Sequence, residues 1–251
     1  MELFDTHAHL WDVRYDVDAE TVMKDFFEDN KNNIMVVVGT NADDCKRLIE
    51  IDHPRVFNAM GVHPQFASSY DESVFDLIRE NKNNIVAIGE IGLDYYYGKG
   101  DKDKQLDLLE KQFALAEELG KPVILHCREA GGELLEVIDK HPNVRGVVHC
   151  FSEDYKTAKA LIERGYYLGV GGSYTFKNNG ELRKIVQTLG LSGLVLETDS
   201  PYLAPVPMRG KVNRPQFVRY TARAIAEDFD LSEEDVLKIT TQNAYKLFGL
   251  E

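Results

Sequence analysis

At 251 residues with 43% hydrophobic content, the chain can bury one large core, and it holds no apolar run of bilayer-spanning length. Its 29 basic and 42 acidic side chains leave a net charge of −13, which excludes a protein that grips duplex DNA through a broad basic face. A phosphate-bearing substrate must instead be drawn by local cations.

The N-terminal Met1-Glu2-Leu3-Phe4-Asp5 has no basic stretch followed by a hydrophobic one, so it reads as a first strand and not as a secretion signal. Cys45, Cys127 and Cys150 are odd in number and form no CxxC pair, which points to free thiols in the reducing cytoplasm.

From there, short apolar runs alternate with segments of helical periodicity. Leu3–Asp5 precedes a helix over Ala19–Asn30, Ile34–Val38 one over Ala42–Glu50, and Val56–Gly61 one over Glu72–Asn81. Val86–Glu90 leads into Lys104–Leu119, where Leu106, Leu109, Phe113 and Ala116 recur at helical spacing until Gly120 and Pro122 stop it. Val123–His126 precedes Glu133–Lys140, Arg145–His149 precedes Tyr155–Arg164, Tyr166–Val170 precedes Glu181–Leu189, and Leu194–Thr198 precedes Gln216–Phe229. Ser232-Glu233-Glu234-Asp235 opens a final helix in the manner of a capping box, running to about Phe248. Eight strand–helix units in one domain, 1–251, predict an α/β fold: a single closed (β/α)8 TIM barrel.

Metal-binding residue types stand at the ends of five of these runs: His7 and His9, Glu90, His126, His149 and Asp199. A ring can bring these ends to one mouth, whereas an open sheet would spread neighbouring strands about 4.8 Å apart. His7 and His9, two apart, share a strand face and can reach one cation, with Asp5 supporting the loop or a histidine proton. Glu90 at the end of an apolar strand needs a partner, either metal or Arg128, and metal is favoured because one carboxylate can bridge two ions.

His126 and His149 repeat one arrangement and point to a second ion; the thiols of Cys127 and Cys150 then face packing. Asp199 can ligate a metal and accept a proton from attacking water, with Glu197 in support. Glu90 and Asp199 are therefore the expected catalytic pair. Mixed imidazole and carboxylate donors suit Zn, Mn, Ni or Mg.

For substrate binding, Arg128 suits a phosphate. Met208 to Pro215 is a basic loop whose Arg209 and Lys211 read either as phosphate handles or as solvated charge. His63, ahead of Pro64, can contact substrate or hold a turn. Tyr95, Tyr96 and Tyr97 either pack or stack on a base. His53 and His141, each before proline and ahead of a strand, read as turn residues facing away from the mouth.

Taken together, Asp5-Thr6-His7-Ala8-His9-Leu10, Gly61-Val62-His63-Pro64, Gly89-Glu90-Ile91-Gly92-Leu93-Asp94-Tyr95, His126-Cys127-Arg128, His149-Cys150-Phe151-Ser152 and Leu196-Glu197-Thr198-Asp199-Ser200-Pro201-Tyr202-Leu203 resemble the TatD family of metal-dependent hydrolases along essentially the whole chain. The resemblance implies an amidohydrolase-like distorted barrel and metal-dependent deoxyribonuclease activity, 3′-to-5′ in some members, with single-stranded or strand-end DNA as the nucleic acid partner. It implies one ion held by His7, His9, Glu90 and Asp199 and a second by Glu90, His126 and His149. Glu153, Val212 and Arg214 depart from the family's usual residues at the mouth and bear on substrate preference. D-aminoacyl-tRNA deacylation at the same centre is the alternative chemistry, and a non-catalytic metal-binding scaffold is a third reading.

Overall fold

Eight apolar runs form eight parallel strands in a computed structural model that describes residues 2–97 and 101–250; Met1 and Glu251, the ends of the expected single domain, lie outside the described residues. The strands are β1 (Phe4–Ala8), β2 (Ile34–Val38), β3 (Val56–Met60), β4 (Ile85–Asp94), β5 (Val123–Arg128), β6 (Gly146–Val148), β7 (Tyr167–Val170) and β8 (Leu194–Leu196). They lie in sequence order in one sheet, each parallel to the next. The sheet's two edges meet where Ala8 bridges Ser200, closing the expected (β/α)8 barrel.

The helices are α1 (Ala19–Asp29), α2 (Ala42–Leu48), α3 (Ser73–Glu80), α4 (Lys102–Leu119), α5 (Gly131–Lys140), α6 (Tyr155–Glu163), α7 (Gly180–Leu189), α8 (Val218–Phe229) and α9 (Glu233–Phe248). Four of their starts follow side-chain chemistry: Asp18, Asn41, Asp154 and Ser232 each accept a backbone N–H of the first turn. Ser232 Oγ accepts the Asp235 N–H at 3.0 Å, the first half of a capping box, and itself donates to the Asp235 carboxylate at 2.6 Å. Gly120 ends α4 in the left-handed conformation, φ 63°.

Most elements differ from the sequence reading by a few residues at their ends, and three of these differences have a clear cause or consequence. β4 runs past Glu90 to Asp94, because Gly92, Leu93 and Asp94 continue the ladder against His126, Cys127 and Arg128 of β5. β8 stops at Leu196, so Glu197 to Asp199 lie beyond the strand. The segment expected to open α8 at Gln216 is a 3-10 turn over Pro215–Phe217; proline suits such a first turn because its N–H would be unpaired there anyway.

Alternation along the strands splits the core in two. Phe4, Val36, Ala59, Ala87, Ile124, Val147 and Val195 fill the barrel interior with Ala244, Leu247 and Phe248 of α9. Phe248 lies 6.2 Å from Phe4, the first residue of β1, so α9 covers the barrel's N-terminal end. The larger cluster lies between barrel and helices. The C-terminal mouth is the end of the barrel interior that this packing leaves free. Among the described residues no helix is long and apolar enough to cross a membrane.

Candidate metal centre

The barrel's seam and its polar cup are built by the same residues. Asp199 N–H donates to His7 O at 3.0 Å and His9 N–H to Ser200 O at 2.9 Å, so closing the sheet brings Asp199 beside both histidines. Asp199 has left-handed backbone, φ 54°, a region that aspartate tolerates better than most residues. In β5 and β6 simple alternation is enough: Ile124 and Val147 face the interior, and His126 and His149 follow two residues later. β1 and β4 each shift register, between Asp5 and Ala8 and between Ile88 and Ile91. Those irregularities turn His7, His9 and Glu90 into the cup.

Glu90 is the hub. Its Oε2 lies 3.3 Å from His7 Nε2 and 3.4 Å from His9 Nε2. Its Oε1 lies 2.8 Å from His149 Nε2, 3.2 Å from His126 Nδ1 and 3.4 Å from His63 Nε2. Asp199 Oδ1 adds 3.5 Å to His9 Nε2 and 3.9 Å to His7 Nε2. One carboxylate thus faces two histidine pairs, one with each oxygen.

Burial of Glu90 opposes its charge, but the surrounding imidazoles hold its carboxyl well below the usual range. Asp199 is likewise buried yet held ionised by His9, His149 and His7. Burial and His149 depress His7. His149 and His126 are also buried, but the carboxylates outweigh that cost and raise both. With protons as the only counter-charge, the carboxylates favour the protonated forms of His149, His126 and His9.

Ligand-forming atoms of His7, His9 and Glu90, of His7, His149 and Asp199, and of His63, Glu90 and His126 each lie within 4.8 Å of one another. His7 Nε2 and His9 Nε2 stand 3.0 Å apart beside an ionised oxygen. Two such lone pairs repel unless a proton or cation lies near both. Four imidazoles and two carboxylates form a donor set that a divalent transition metal accepts, so the residues fit the ions the sequence pointed to. Cys127 and Cys150 belong to none of these groups.

His63 differs from the other histidines. Its Nδ1 accepts the Gln65 N–H at 3.2 Å, and burial holds the ring down to about 3, hence neutral. The remaining proton is on Nε2, so His63 presents a donor to the cup where a ligand would need a lone pair.

Supporting contacts surround the cup; those of Asp5 and Glu197 are of the kind the sequence pointed to, and those of Gly92 and Asn213 carried no clear signal. Asp94 Oδ2 lies 3.0 Å from His126 Nε2, which leaves Nδ1 for the cup. Gly92, φ 144°, packs so tightly on the His126 backbone that a Cβ would overlap its carbonyl oxygen. Asp5 accepts from Thr198 N at 2.8 Å, Thr198 Oγ1 at 2.6 Å and His7 N at 3.3 Å. It therefore braces the β8 loop and the β1 backbone, and it bonds no histidine ring. Glu197 Oε1 accepts Cys150 N–H at 2.7 Å and lies 3.6 Å from His149 Nδ1. Asn213 Nδ2 ties Thr198 O and Tyr202 O at 2.9 and 2.6 Å. Glu153 Oε1 takes Cys127 Sγ at 3.6 Å and Ala130 N at 3.5 Å.

At the rim, Arg128 lies over Tyr96, 3.9 Å from its ring centre, and the ion-pair partners of Glu90 among the described residues are all histidines. The alternative Glu90–Arg128 salt bridge does not form. Arg209 is exposed over Phe176 at 4.0 Å; Lys211 is exposed. Both sit in the loop after β8, on the cup's side of the barrel, and neither touches the histidine cluster. Tyr95 is buried, while Tyr96 and Tyr97 are exposed. His53 stacks on Phe27, and His141 bridges Glu110 and Glu117 at 3.1 and 3.0 Å, both away from the cup.

Comparison with known proteins points the same way. The family model described as TatD related DNase matches residues 4–249. An uncharacterized metal-dependent hydrolase of Bacillus subtilis, YabD, is 37% identical, with 99% of each chain covered. Another from Escherichia coli, YcfH, is 36% identical over 100% of this chain and 97% of its own. The crystal structure of YjjV, a TatD homologue from Escherichia coli, superposes with a TM-score of 0.89 at 25% identity, covering 99% of this chain and 98% of that one. An amidohydrolase from Bifidobacterium longum shares the fold, with a TM-score of 0.64 at 13% identity over the full length of both chains.

Proposed function

This chain belongs to the TatD family of metal-dependent hydrolases, and on that premise we propose that it is a deoxyribonuclease that releases nucleotides from the 3′ end of single-stranded or strand-end DNA. The observation that carries the reading is the divided carboxylate of Glu90, with Oε2 toward His7 and His9 and Oε1 toward His126 and His149. We assign one divalent ion to His7, His9, Glu90 and Asp199, and a second to Glu90, His126 and His149. Zn, Mn, Ni and Mg all fit these donors.

When bound, the ions would polarise the phosphodiester and lower the pKa of water toward neutrality. The protein's share is positioning and proton handling. Asp199, ionised beside His9, takes a proton from the attacking water at a carboxylate oxygen. Glu90 keeps its charge between the two histidine pairs and holds them at fixed separation. His63 donates a hydrogen bond from Nε2 to a phosphate oxygen, a donor aimed at developing negative charge. Arg128, at the end of β5, and Arg209 and Lys211, in the loop after β8, hold phosphates against the mouth of a chain whose net charge is −13. Cys45, Cys127 and Cys150 are free thiols, and we place the protein in the cytoplasm on that ground.

The reading is tested with metal-stripped protein refilled with Mg, Mn or Zn, assayed in parallel on a 5′-labelled single-stranded oligonucleotide and on a D-aminoacyl-tRNA. Stepwise shortening from the 3′ end, restored by refilling and absent from Glu90→Ala, is the expected outcome. Hydrolysis of the aminoacyl ester with no shortening of the oligonucleotide would replace the nuclease by a deacylase.

A further inference from the structure

We propose that Tyr96, Tyr97 and Arg128 form a stacking platform for unpaired nucleobases at the rim of the cup, and that this platform makes the enzyme select single strands. The inference rests on the nuclease reading above and names how the substrate's bases are held.

The first support is position. Arg128 lies two residues beyond His126 on β5. Alternate strand residues share a face, so Arg128 is on the cup's side and roughly 6.6 Å farther out along the strand. Tyr97 N–H donates to Asp94 Oδ1 at 2.9 Å, and the other oxygen of that carboxylate holds His126. One aspartate thus fixes the cup histidine and the backbone at Tyr97 together.

The second is exposure. Tyr96 is 48% and Tyr97 77% exposed, and their rings meet edge to face at 4.7 Å. The Arg128 guanidinium lies 3.9 Å from the Tyr96 ring centre and 4.9 Å from that of Tyr97. A cation over one ring leaves aromatic surface open to water beside the cup. Tyr202, also at the rim, is already engaged: its edge meets His9, Arg14 covers its ring, and its hydroxyl bonds Asp12.

The third is charge. A protein at −13 gains little from diffuse attraction to a polyanion. Stacking does not depend on net charge, and every base offers a π-face. Bases within a duplex are already stacked, so a platform of this kind favours an unpaired end.

The test is fluorescence anisotropy with a dye-labelled phosphorothioate oligothymidylate, which resists cleavage, and an abasic phosphorothioate strand of equal length and charge. Metal-loaded wild type should bind the thymidylate strand about tenfold or more tightly than the abasic one. The Tyr96→Ala/Tyr97→Ala pair should bind the two strands alike, and Tyr96→Phe/Tyr97→Phe should restore the preference. If the alanine pair keeps the preference, if wild type binds both strands equally, or if the phenylalanine pair behaves like the alanine pair, the platform is wrong and the nuclease reading stands. If wild type binds neither strand and shortens no natural oligonucleotide, both fall.

Discussion

Asp94 Oδ2 meets His126 Nε2 at 3.0 Å, and the ring's other nitrogen, Nδ1, is thereby turned to Glu90 Oε1 at 3.2 Å. The carboxylate selects which nitrogen faces the cup and holds a proton on Nε2, so that Nδ1 is the nitrogen a cation would meet. Asp94→Asn can present an amide N–H to Nε2 and move the imidazole proton to Nδ1. We expect this variant to weaken one of two metal-binding steps by about 10- to 100-fold, read by titration against a competing chelator. Unchanged affinity would show that Asp94 does not orient the ligand.

His63 stands in one of the three candidate ligand groups, yet its Nδ1 already accepts a backbone N–H and its Nε2 carries the proton. His63→Ala should therefore keep the full metal content while lowering kcat by about 10²- to 10³-fold, the usual cost of a lost donor to developing charge. Elemental analysis and single-turnover kinetics on the same sample separate the two effects. Loss of an ion from this variant would make His63 a ligand.

Metal binding should release protons. Despite burial, Glu90 raises His149 and, with Asp94, His126. A cation needs their lone pairs, so its binding competes with protons that the carboxylates favour there. Apparent affinity should then rise with pH through the neutral range and fall toward acid. Calorimetry in two buffers of different ionisation enthalpy should show a buffer-dependent heat, and equal heats in both would contradict the assigned ionisation.

Phe248 and Phe4 lie 6.2 Å apart and close the end of the barrel opposite the cup. Phe248 is nearly buried. Phe248→Ala removes a large side chain from the interior cluster and should cost about 3 kcal/mol, seen as a lower urea midpoint. Metal content below the transition should be unchanged, because the cup is at the other end.

Much of this was legible in the sequence, and the exceptions have physical causes. The barrel follows from eight apolar runs alternating with segments of helical periodicity. His126 and His149 follow from alternation, because Ile124 and Val147 already face inward on regular strands. Alternation fails in β1 and β4, where register shifts decide which residues enter the cup. There the clue was chemical: a carboxylate and two imidazoles ending apolar runs. The hold of Asp94 on His126 stayed hidden because it depends on β4 continuing past two glycines beside β5. Asp5 was expected to support either the loop or a histidine proton; its oxygens are filled by Thr198 and the His7 backbone, 193 and 2 residues away. Contacts of that first kind are set by barrel closure and leave no trace in local pattern.

The account's central claim is that Glu90 serves two ion sites, one through each carboxylate oxygen, whereas Asp199 serves one. The direct measurement is metal per chain, by elemental mass spectrometry after equilibrium dialysis against Mn, for wild type, Asp199→Asn and Glu90→Gln, with folding checked by circular dichroism. The account predicts two ions for wild type, one for Asp199→Asn and none retained tightly by Glu90→Gln. A single ion in wild type, or equal losses in the two variants, would contradict it.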